Sequence, residues 1–265
     1  MKIILSRKGF DSSKNNGGIP SPILPDGTLL SLPIPSENDE LLFSDLQYHE
    51  HKYSDILKLL APGRQYDNCH LDPDIRTDVR VKATVDWKPA FGQIGAAQTY
   101  LSHKGLSAGD LFLFFGWFKQ TTGSIADGTL RYVPKAPSLH IIFGYMEIAE
   151  IIINDEIPEI NYYWHPHGSG KRLEEKTNAM YLPAKKLTFD KTRCGWGIFD
   201  YSDKRVLTLA EKKATWREIP CLLPEWVDKN VKNNANGKGI YYQGVWQELV
   251  LKESQLADDW VKEIF

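Results

Sequence analysis

Leu111-Phe112-Leu113-Phe114-Phe115-Gly116-Trp117-Phe118 contains no charged residue and no break in its apolar character. A strand with one wet face alternates apolar with polar side chains, so an unbroken run of this kind predicts a strand buried on both faces. Working outward, Gly109-Asp110 forms the turn into it, and Leu139 to Glu150 reads as a second strong strand. Residues 119–138, with Thr121-Thr122-Gly123, Asp127-Gly128 and Pro134, form the excursion between the two. Lys2-Ile3-Ile4-Leu5 reads as an N-terminal strand, and shorter strands are expected at 79–86, 179–182 and 205–209.

Helical spacing occurs in three places. Residues 44–60 place Ser44 and Gln47 as a capping box, bury Leu46, Tyr53, Ile56, Leu57 and Leu60, and stop at Pro62-Gly63. Residues 92–104 carry the small Gly95, Ala96 and Ala97 and end at Gly105. The tail from Ser254 to Phe265 sets Leu256, Trp260 and Ile264 on one side. Strands outnumber helices and do not alternate steadily with them. The expected class is α+β: a strand-rich mixed sheet or partly closed barrel with a few packed helices, in one domain over 1–265.

Composition narrows the setting. Hydrophobic content of 42% and charged content of 25% are ordinary for a globular chain. Eight Trp, twelve Tyr and eleven Phe suit a strand-rich core, and would also suit stacking on bases. No apolar run reaches the roughly 20 residues of a membrane span, and Ile3-Ile4-Leu5 is too short for a signal-peptide core. Cys69, Cys194 and Cys221 are odd in number and show no metal spacing, so the expected compartment is the reducing cytoplasm. A net charge of −2 argues against nucleic-acid binding through overall charge. The charge is uneven, however: residues 37–80 hold ten acids against five Lys/Arg, and residues 171–217 hold twelve Lys/Arg against six acids. Residues 229–239 read as a polar loop.

The N-terminal strand runs into a loop, Ser6 to Asp26, far longer than a simple connection requires. Arg7 offers a planar fork for phosphate and Lys8 a compact charge. Ser6, Ser12 and Ser21 add hydroxyls, Gly17-Gly18 could form an anion nest, and Asp11 or Asp26 could orient a ribose hydroxyl or act as a base. Further on, Cys69-His70-Leu71-Asp72-Pro73-Asp74 sets two carboxylates about a proline. Close carboxylates can split into an acid and a base, or hold a hard cation; Asp-Pro-Asp is also an ordinary turn. In His165-Pro166-His167, residues i and i+2 of an extended segment face the same way, so both imidazoles could reach one metal or phosphate, with His70, Asp72 or Asp74 completing the set. Two surface histidines in an aromatic loop is the plainer reading. Gln93 could read a base edge, Trp117 is the stacking candidate of its strand, and His140 reads as structural. Nothing sets a base beside Cys194.

The wording of several segments resembles the third nucleotide-modification-associated domain family of bacteria and their phages. The resemblance is carried by LSRKGFDSS and GGIPSPILPDGTLLSLPIP near the start, HLDPDIR at 70–76, AFGQIGAAQTYL at 90–101, GDLFLFFGWF at 109–118, HIIFGY at 140–145 and HPH at 165–167. It implies action on DNA bases or nucleotides, and names no reaction and no cofactor.

Two readings stand. One is an enzyme altering a nucleobase or nucleotide, with Arg7 and Lys8 on phosphate, Asp72, Asp74 and Asp11 for acid–base work, and a metal at His165, His167 and His70. The other is a module that reads modified bases without chemistry, suggested by the turn-and-strand pattern of PUA-like barrels. Carboxylates converging on a pocket would favour the first.

Overall fold

The doubly buried strand occupies the centre of a nine-stranded mixed sheet. The computed structural model describes residues 1–209, 212–229, 231–234, 237 and 239–265. In chain order the elements that build the site are β1 (Ile3–Arg7), β2 (Ser21–Ile23), β3 (Ile34–Pro35), α1 (Tyr53–Leu60), β4 (Cys69–His70), β5 (Phe91–Gln93) and α2 (Gly95–His103). They continue with β6 (Leu111–Thr122), β7 (Arg131–Tyr132), β8 (Leu139–Ile153), β9 (Ala179–Pro183), β10 (Trp196–Ile198), β11 (Glu248–Val250) and α3 (Gln255–Ile264). The main path is β11-β1-β6-β8-β9-β5, with β2 and β7 added to β6 and β10 to β8; β3 and β4 pair apart from it. β1 and β6 run parallel, Ile3 opposite Leu111 and Arg7 opposite Phe115, whereas β1 and β11 are antiparallel with Ser6 opposite Glu248.

Both faces of β6 are covered, which is why its sequence does not alternate. Leu111, Leu113 and Phe115 pack on the side that holds Trp216 and α3, while Phe112, Phe114 and Phe118 pack on the side that holds Phe91 and Tyr181. A register shift between Ile142 and Gly144 bends β8 against β6. The sheet curls into a half-barrel, and its two end strands return to each other: Gln93 Nε2 of β5 donates to Glu248 Oε1 of β11 at 2.7 Å. The N-terminal loop forms a third core, with Phe10, Leu24, Leu30 and Leu32 packed against Tyr53, Ile56 and Leu57 of α1. Gly17 permits that packing, because a Cβ there would lie 2.2 Å from the Phe10 ring and its φ of +98° suits glycine. The α+β class is therefore the observed one, and no helix among the described residues is long and apolar enough to cross a membrane.

Local expectations differ in several places. The first helix begins at Tyr53 rather than at 44, because Gln47–Tyr48 and His51–Lys52 make a tight hairpin whose turn holds His49 at φ +52°; Ser44 is no cap. Residues 91–93 join the sheet before α2 begins. The strand expected at 79–86 reduces to one bridge at Arg80, and that at 205–209 to bridges at Val206 and Thr208. Leu256 faces outward, and Ala257, Trp260, Val261 and Ile264 form the buried side of α3. Of the loop at 229–239, positions 230, 235, 236 and 238 lie outside the described residues, and Lys232–Asn233 pairs with Ile240–Tyr241.

Candidate active site

A cleft of 640 Å³ opens where β1 ends, between the returning strands β5 and β11, and its floor is made of ionisable side chains. The β1–β11 register sets Ser6 beside Glu248, and the chain then delivers Lys8 into the same space. Lys8 Nζ lies 3.6 Å from Asp72 Oδ2, 3.6 Å from Glu248 Oε1, and 4.1 Å above the centre of the Phe91 ring. Glu248 Oε1 also accepts from Ser6 Oγ at 2.9 Å and from Gln93. Its other oxygen, Oε2, is buried with no hydrogen-bond partner. Asp72 Oδ1 accepts the Gly92 N–H at 2.7 Å.

These surroundings push the two carboxyls in opposite directions. Burial raises the Glu248 carboxyl above its ordinary range, more than Lys8, Ser6 and Gln93 can offset. Burial also works against an ionised Asp72, but the Lys8 ammonium, helped by the approach of His165 Nε2 to 3.5 Å, outweighs it and holds that carboxyl well below the usual range. The sequence proposed a split carboxylate pair at Asp72 and Asp74; the structure pairs Asp72 with Glu248 instead.

The histidines converge from strand β4 and from the turn at 165–168. β4 carries His70, whose Nδ1 lies 3.2 Å from Asp39 Oδ2, and Arg172 holds both oxygens of Asp39. Burial disfavours the Asp39 carboxylate, yet the hydrogen bonds from His70 and Arg172 keep it ionised far below its ordinary value. His165 and His167 are buried, at 0% and 2% exposure, so they are not surface histidines. His167 Nδ1 bonds Asn178 Oδ1 at 2.8 Å, and Asn178 Nδ2 donates to the His167 carbonyl at 2.9 Å. Burial lowers the His167 pKa well below its usual value, so the ring is neutral. One ligand atom each from His70, Asp72 and His167 lies within 4.8 Å of the others, making these three the group with metal-binding geometry among the described residues.

Other candidates fall elsewhere. Asp11 lines the cleft, but its oxygens are taken by the Ser13 N–H at 2.6 Å and Asn16 Nδ2 at 3.0 Å. Asp74 turns away from the cleft and pairs with Arg80 at 2.6 Å and Trp87 at 3.1 Å; Arg80 also donates to the Trp164 carbonyl, which ties this pair to the histidine loop. Ser21 Oγ accepts the Leu32 N–H, Asp26 closes a turn onto Thr28, Ser12 is exposed, and Trp117 lies beneath Lys213 at 3.7 Å. Gly18 gives its N–H to the Asp11 carbonyl, so the expected anion nest is occupied internally. His140 is a buried structural histidine whose Nδ1 accepts from Trp216 Nε1.

Sequence reasoning missed Glu248, Asp39, Asn178, Tyr100 and Trp246. Glu248 carried a readable signal: it is an acid opening the short apolar strand Leu249-Val250-Leu251. Trp246 and Tyr100 line the cleft walls, and Arg7 and Lys229 add cations there; burial lowers the Lys229 pKa. No curated protein and no solved structure matches this chain. A family model described as nucleotide modification associated domain 3 matches residues 2–258, and the chain belongs to that family.

Proposed function

We propose that this protein is an enzyme that alters a nucleobase or nucleotide held in the cleft, with Asp72 and Glu248 as an unlike acid–base pair about Lys8. The observation that carries the reading is the meeting of two buried carboxylates at one ammonium, with their pKa values driven apart. Environments that separate two carboxyls in this way assign an acid and a base. Glu248 Oε2 is the oxygen left to exchange a proton with a bound molecule. Trp246 offers aromatic surface to a base, and Arg7 and Lys229, whose ammonium lies 3.9 Å over the Tyr100 ring, offer charge to a phosphate. Family membership supports a nucleotide as the ligand class.

The test compares wild type with Asp72→Asn and Glu248→Gln, both nearly isosteric. Each is expected to reduce turnover of a converted nucleotide by at least about a hundredfold, within the 10²–10⁴ of general acid–base catalysis. Nucleotide binding, followed by tryptophan fluorescence, should survive in both. Equal turnover in all three proteins would remove the pair from the reaction.

A further inference from the structure

We propose that His70, Asp72 and His167 bind one divalent transition-metal ion at the floor of the cleft, both imidazoles ligating through Nε2. This deepens the enzyme reading and rests on the same cleft; with an ion bound, Asp72 is a ligand and Glu248 is the carboxyl left to exchange a proton. Three donor atoms within 4.8 Å of one another need draw in only modestly, since ligands about 2.1 Å from a tetrahedral ion stand about 3.4 Å apart.

The hydrogen bonds behind the rings supply the second argument. Asp39 accepts from Arg172 on both of its oxygens, so the proton between Asp39 and His70 is on His70 Nδ1 and the Nε2 lone pair is free. Asn178 spends its N–H on the His167 carbonyl, so its Oδ1 is the atom facing His167 Nδ1. His167 is therefore also an Nδ1–H tautomer with Nε2 free. A carboxylate or carbonyl behind each imidazole is the usual way a protein fixes metal-binding histidines. Gly92 makes room for the second ring, because a Cβ there would lie 2.1 Å from His167 Cγ.

His165 has the opposite tautomer. Its Nδ1 accepts the His167 N–H at 3.1 Å, so the proton is on Nε2, which points at Asp72 Oδ1 from 3.5 Å. It orients the carboxylate and is not a ligand, which changes the set expected from the His-Pro-His motif. Two imidazoles and one carboxylate favour zinc, iron or cobalt over magnesium or calcium, and three protein ligands leave a coordination position for water or substrate. An ion on Asp72 competes with Lys8 for that carboxylate, and Glu248 is the partner that Lys8 retains.

The experiment strips the full-length protein with chelator, then titrates it with Zn²⁺ and, separately, Co²⁺, reading calorimetric stoichiometry and visible absorbance. We expect one ion per chain, with affinity at least a hundredfold lower in His70→Gln and in His167→Gln and a stoichiometry of one kept in His165→Gln. Asp39→Asn leaves every ligand in place and loosens His70, so it should weaken binding about 10–100-fold; it serves as the readout if circular dichroism shows a ligand variant unfolded. Absence of a stoichiometric ion in wild type would overturn the inference, as would affinity unchanged in folded ligand variants and in Asp39→Asn. Stripped protein that still converts nucleotides at the full rate would remove the metal from the reaction and leave the acid–base reading standing. Protein that takes up one ion but changes no nucleotide would do the reverse.

Discussion

Asp72 and Glu248, far apart in the chain, share the ammonium of Lys8 at 3.6 Å each, and of the two only Glu248 keeps an oxygen without a partner. The two carboxyls therefore contribute to stability with opposite signs. Glu248 is raised, so the folded protein holds its proton more tightly than the unfolded chain does; that stability is complete below the unfolded carboxyl pKa and is lost as pH rises through the folded value. Asp72 is lowered, so its contribution is present above the unfolded pKa and disappears as pH falls toward the folded value.

It follows that Glu248→Gln should stabilise the protein while disabling it. At pH 7–8 we expect a melting temperature about 2–4 °C higher than wild type, the equivalent of about 1 kcal/mol in a chain of this size. The gain should shrink toward pH 4, where wild-type Glu248 is protonated. Thermal scans across pH check this, and a variant less stable than wild type at pH 8 would contradict the burial argument.

Lys8→Met leaves two buried carboxyls facing each other. We expect a loss of about 3–5 kcal/mol near pH 7, the usual cost of removing one partner from a buried ion pair. The loss should ease as pH falls and a carboxyl takes up a proton. Denaturant unfolding at pH 5 and pH 7.5 measures it; a pH-independent loss would mean that Lys8 acts through packing on Phe91 alone.

Asp74 and Arg7 separate structure from binding. Asp74→Asn breaks the pair that the fully buried Asp74 makes with the partly buried Arg80 and should lower stability by about 3 kcal/mol, leaving kcat close to wild type in the folded fraction. Arg7→Lys keeps the charge and loses the planar fork, so KM should rise several-fold with kcat nearly unchanged. Steady-state kinetics with chemical denaturation distinguishes the two, and an intact Asp74→Asn protein with abolished kcat would return Asp74 to the reaction.

Much of the framework was legible because it is written locally. The unbroken apolar run of β6 reports burial on both faces, and the N-terminal strand leads directly to Arg7 and Lys8 at the cleft. What escaped depends on distant pairing. Asp72 and Asp74 flank one proline, and nothing local says that one enters the cleft while the other meets Arg80. Glu248 reaches the site through the register of β11 on β1, and Asp39 through its contacts with His70 and Arg172. The helix expected from 44 failed because an apolar spacing compatible with a helix also fits a hairpin followed by a shorter helix.

A catalytic cleft requires that the protein change a nucleotide covalently. The most direct measurement is mass spectrometry of the nucleotide pool and of enzymatically digested DNA from cells expressing wild type or Glu248→Gln, since cells supply every cosubstrate. We expect a nucleoside of altered mass in the wild-type sample and its absence with Glu248→Gln, at equal protein levels. Identical nucleoside profiles in the two samples, from a wild-type protein that nonetheless binds modified DNA, would rule out catalysis by the Asp72–Glu248 pair and establish a reader.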